Sequence, residues 1–60
     1  MIKVHRLNGS EIVVNIDLIE TVEATPDTII TFTTGKKLAV LETIDQFISL
    51  ALEFKRKQFY

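Results

Sequence analysis

The chain contains no cysteine, one histidine, one proline and two glycines in its 60 residues. Without cysteine, no disulfide can staple so small a fold. A single imidazole, His5, leaves a structural zinc site without the several Cys or His ligands it takes. Gly9 and Gly35 stand alone, so the chain carries neither a dinucleotide fingerprint nor a phosphate-binding P-loop. Long apolar runs are missing too. The longest cluster, "FISLALEF" (47–54), is broken by Ser49 and Glu53, well short of the roughly 18 residues that suggest a membrane span. Met1-Ile2-Lys3 leads straight into alternation, without the apolar stretch of about 7–15 residues found in a secretory leader. A cytoplasmic chain is expected. Nor is there an excess of positive charge. The formal net charge is −1, which speaks against DNA and against non-specific attachment to RNA or acidic membranes.

What the chain has in quantity is apolar residues, 47% of the total. A domain this short buries only about 60% of the surface its unfolded chain exposes, so its stability is thin. With disulfides and metal set aside, self-association is the remaining remedy, and a homo-oligomer is expected. The charges are unevenly placed. Residues 1–30 hold two bases against five acids, a sum of −3, and residues 31–60 hold five bases against three acids, a sum of +2. Such a split can orient self-assembly or a partner.

Period-two alternation over "IKVHRL" (2–7) and "EIVVNI" (11–16) predicts two strands. Asn8-Gly9 between them suits the two positive φ angles of a type I′ turn, so a hairpin is expected there. A third strand is expected over residues 19–24, with Leu18 or Ile19, then Val22 and Ala24, toward a core. The single proline then falls in "TPDT" (25–28). Pro26 fixes φ at the second position of a type I turn and Asp27 fits beside it, so the stretch reads as a hairpin connection rather than a recognition loop. "TIITFTT" (28–34) supplies a fourth strand and "KLAVLE" (37–42) a fifth, with Gly35 free to adopt a left-handed conformation between them.

From residue 44 the period changes. Ile44, Phe47, Ile48 and Ala51 fall at i, i+3, i+4 and i+7, one face of a helix expected over 44–57. Thr43 and Gln46 match a capping box. Asp45 at the start and Lys55, Arg56 and Lys57 at the end suit the helix dipole. Leu50 and Phe54 widen the apolar face on one side, and Leu52 and Phe59 on the other. The arc reaches roughly 200°, against the ~100° stripe of an ordinary surface helix. Val13 and Ile29 lie on strand faces opposite their apolar neighbours. Val13, Ile29, Leu50, Leu52, Phe54 and Phe59 are therefore the candidate surface for self-association or a partner. On this reading Phe54→Glu weakens association more than the monomer fold. The alternative is a sheet that curls around the helix and covers both flanks.

No catalytic constellation emerges. A nucleophile needs a base and an orienting group within reach, and Ser10 and Ser49 lie in different elements with His5 as the one imidazole. His5, in an alternating strand, reads as a structural side chain. Glu20 and Glu23, at an odd spacing in a strand, point to opposite faces and read as solubilising charges. No cofactor is implied, and a non-enzymatic protein is expected. The basic end "FKRKQFY" (54–60) offers Lys55, Arg56 and Lys57 as a contact for RNA, an acidic lipid surface or an acidic protein. Dipole complementarity accounts for bases there without any ligand.

Taken in order, "RLNG" (6–9), "DLIE" (17–20), "PDT" (26–28), "GKK" (35–37) and "EFKRK" (53–57) closely resemble the FlbD/SwrD family of small bacterial flagellar proteins over essentially the whole chain. The resemblance implies an accessory role in motility and swarming, tied to motor power rather than to filament structure. It implies action by contact at the flagellar base, on the torque-generating stator or the basal body, with any membrane association made through such a partner. It carries over no catalytic residues. The shared Asn8, Gly9, Pro26, Asp27 and Gly35 are the turn formers already read.

A second reading is a small RNA-binding regulator. Five short strands and a C-terminal helix also describe the intertwined dimer of the carbon-storage-regulator type, and "EIVVNID" (11–17) is similar in cadence to its second strand. The acidic first half, with Lys3 and Arg6 as its only bases, argues against RNA, which asks for several phosphate contacts. The fold expected is α+β in a single domain. It comprises a strongly twisted antiparallel sheet of four or five short strands, its barrel-like closure left open, followed by one C-terminal amphipathic helix.

Overall fold

Alternation decides which side chains go inside. In the computed structural model, which describes residues 1–57 and only the backbone of Lys57, the inward positions of four strands are even-numbered. Ile2 and Val4 are buried in β1 (Ile2–His5), and Val14 is buried in β2 (Glu11–Val14). Thr28 and Ile30 are buried in β4 (Thr28–Phe32), and Val40 in β5 (Lys37–Val40). The third strand, β3 (Ile19–Ala24), breaks the parity. Ile19 and Val22 both pack on the core across an odd spacing. The register with β4 shifts between Ile19 and Thr21, a β-bulge at Glu20 that turns odd into even. Of the alternatives Leu18 and Ile19 it is Ile19 that turns inward, and Ala24, the remaining expected core position, is exposed.

The strands form two antiparallel sheets, β1-β2 and β3-β4-β5, where the sequence suggests one. They abut at a bridge between Arg6 and Val40, beside which the Leu41 N–H donates to the His5 carbonyl at 2.8 Å. They do not close into a barrel. The cause lies after β2: alternation continues to Ile16, but the Asn15 side chain accepts from the Asp17 N–H at 3.0 Å and caps a single 3-10 turn, Ile16–Leu18. That turn lifts the chain off β1 before β3 begins, leaving β2 and β3 as the two outer edges.

Both glycine turns have the same geometry. Arg6 N–H donates to Ser10 O and Gly9 N–H to Arg6 O; Phe32 N–H donates to Lys36 O and Gly35 N–H to Phe32 O. Each is a three-residue loop closed by a bulged glycine, with φ of 89° at Gly9 and 91° at Gly35. The type I′ turn expected at Asn8-Gly9 is therefore corrected, since no non-glycine among the described residues has positive φ. Asn8 instead accepts from the backbone and hydroxyl of Ser10. Pro26 and Asp27 do join β3 to β4. The loop is residues 25–27, closed by the Thr25 N–H on the Asp27 carbonyl, with a cis Thr25–Pro26 peptide bond, rather than a four-residue type I turn.

The helix, α1, spans Ile44–Lys57. Its capping box is made: Gln46 N–H donates to Thr43 Oγ1 at 3.1 Å, and Thr43 N–H to Gln46 Oε1 at 2.9 Å. Phe47 is buried, and Leu50 and Phe54 pack against the core, whereas Ile48 is 47% exposed. The inward stripe is thus turned by roughly 60° from the one centred on Ile44 and Ala51. Two phenyl rings offer more area to bury than Ile48 does, and they set the rotation.

Candidate functional site

The sole histidine is tied to a carboxylate. The Glu42 carboxylate accepts the His5 N–H at 2.8 Å through one oxygen, and lies 2.7 Å from His5 Nδ1 through the other. This clip ties the end of β1 to the connection between β5 and α1. Burial raises the Glu42 pKa, but the side-chain and backbone hydrogen bonds from His5 outweigh it and hold the carboxyl below its ordinary value. Both carboxylate oxygens are engaged by one residue. Nothing in the sequence marked Glu42, because its partner lies 37 positions away. Elsewhere, no group of three or more His, Cys, Asp or Glu that could hold a metal occurs among the described residues. Glu20 and Glu23 are exposed on β3.

The candidate contact residues fall into three classes. Val13 and Leu52 are exposed, at 56% and 61%. Ile29, Leu50 and Phe54 are half-buried, and the last two pack on the core, so a charge at Phe54 would strike the fold itself. Phe59 lies outside the described residues. Lys55 and Arg56 are exposed at the end of α1, while Lys57 is described through its backbone only.

Two apolar surfaces gather around the exposed members. On α1, Ile48 and Leu52 form a stripe at i, i+4 that continues to Arg56. An open groove of about 280 Å³ is lined by the β2 residues Ile12, Val13 and Val14, by Asn15, Leu18 and Phe32, and by Thr34 and Lys36. It falls below the ~300 Å³ at which ligand pockets usually begin. Leu18, 47% exposed, is the alternative to Ile19 that the core leaves out, and Ile48, a core position by its helical spacing, belongs instead to these surfaces.

A family model of flagellar and swarming motility proteins matches residues 1–59. The chain belongs to the FlbD family. A search of curated proteins returns no match, and neither does a search of solved structures. In this FlbD chain the "RLNG" and "GKK" motifs are the two bulged-glycine turns. Those motifs hold the hairpins; Leu7 of "RLNG" is 49% exposed, whereas Val13, Ile48 and Leu52 lie outside them. No helix among the described residues is long and apolar enough to cross a membrane.

Proposed function

We propose that this FlbD chain is a non-enzymatic accessory of the flagellar motor, acting through protein–protein contacts at the cytoplasmic side of the flagellar base and supporting stator power. The observation that carries the reading is the pair of apolar surfaces, at β2 and on α1, on a domain small enough to need its apolar residues inside. The one histidine is committed to Glu42. The basic end of α1, Lys55 and Arg56, adds a charged contact for an acidic partner beside the Ile48–Leu52 stripe.

The reading is tested by removing the protein from a motile bacterium and measuring torque at high load together with the number of filaments per cell. Torque per motor is expected to fall while filament number holds. A loss of filaments with unchanged torque in those that remain would replace motor power by assembly.

A further inference from the structure

The fold leaves two strand edges, and they are built differently. β3 pairs with β4 alone and β2 with β1 alone among the described residues. An open edge invites another strand, and proteins blunt it with charges or a bulge. β3 has both: Glu20 occupies its bulge and Glu23 follows, each exposed. β2 has neither protection. Its one charge, Glu11, is matched across the ladder by Lys3 at 3.2 Å, and Val13 stands out to solvent.

The phase of the ladder shows what the β2 edge offers. His5 directs its N–H to Glu42 and its carbonyl to the Leu41 N–H, away from β2. In an antiparallel pair its opposite number, Glu11, then points its own N–H and C=O outward, and so does Val13 two residues on. Val13 also lines the groove to which Leu18, Phe32 and Lys36 contribute. A strand laid there would bond to the β2 backbone, cover Val13 and Leu18, and suit Lys36 best if it carried a carboxylate. β2 itself fits: it is short, β-branched, and Glu11 is its single charge.

We propose that β2 pairs antiparallel with β2 of a second copy about a two-fold axis at Val13. Each Glu11 reaches the other copy's Lys36, and the two β1-β2 hairpins form one four-stranded sheet. A two-fold contact of this kind closes on itself and stops at a dimer.

The absence of native cysteine makes the test clean, because one introduced thiol reports one position. Val13→Cys sits at the axis, within disulfide reach of its symmetry mate, and is expected to cross-link roughly tenfold faster than Glu23→Cys on the β3 edge. Equal rates, or a wild-type mass of one chain by light scattering up to submillimolar concentration, would overturn the proposal. The Val13 N–H faces outward, so Val13→Pro spares the β1-β2 ladder and should weaken the dimer by roughly tenfold or more. Should that variant unfold, the charges decide. Glu11→Lys and Lys36→Glu should each weaken the dimer and together restore it, and no recovery in the double variant contradicts the geometry. Binding of an extended acidic peptide by a chain that stays monomeric would assign the groove to another occupant. Mass and cross-linking read out this inference, so its failure leaves the motor reading standing.

Discussion

Glu42 shows how much one side chain can hold in a fold with few spare contacts. Its carboxylate satisfies the His5 backbone and faces the His5 ring, and hydrogen bonds to a charged group are worth about 1.5–3 kcal/mol each way of counting. Because its folded pKa lies below the ordinary value of 4.5, its stabilisation is fully present above that value and is lost as pH falls through the folded one. Glu42→Gln should therefore cost about 1–2 kcal/mol at pH 7 and progressively less as pH falls below 4.5 and through the folded pKa, where the native carboxyl takes up a proton as well. Denaturant unfolding along a descending pH series checks this, and a cost that stays constant into the acid-unfolding range would contradict it. The place of His5 in an alternating strand was legible in the sequence. Its partner was not, since no local pattern links positions 5 and 42.

Among the elements, α1 was the most legible and yet the most instructive where it departed from expectation. Its start, its span and its capping box are local matters of spacing and side-chain chemistry, and they stand as read from the sequence. Its rotation is a tertiary matter. Which apolar flank turns inward depends on what β1 and β3 present, and the phenyl rings of Phe47 and Phe54 take precedence over Ile48. Phe47→Ala should cost about 3–5 kcal/mol and Ile48→Ala about 0.5 kcal/mol or less. Thermal unfolding of both variants checks the ranking; comparable losses would return the stripe to the one centred on Ile44 and Ala51. The strands follow the same division. All five were legible as strands, β3 over its observed span, whereas the bulge at Glu20 and the loop type at Asn8-Gly9 depend on how neighbouring strands register. A domain of this size has a total stability of only about 3–9 kcal/mol, so a single core truncation can take most of it.

For the whole molecule, composition pointed to surplus apolar surface but not to where it would emerge. The expected single sheet divides in two because the Asn15 cap ends β2 early, and that division creates the β2 edge and its groove. The helix contributes the second surface, displaced onto Ile48 and Leu52 by its rotation. Family membership supplies the setting of flagellar and swarming motility, and the function proposed above rests on the two surfaces as its means of contact. Since Ile48 and Leu52 are exposed, charging them should leave the fold alone, as surface substitutions usually stay within about 0.5 kcal/mol. The most direct measurement is swarming and motor torque in a deletion strain carrying Ile48→Glu with Leu52→Glu, alongside the melting temperature of the purified variant. The account predicts a wild-type melting temperature with motility no better than the deletion. Full motility from a correctly folded double variant would contradict it.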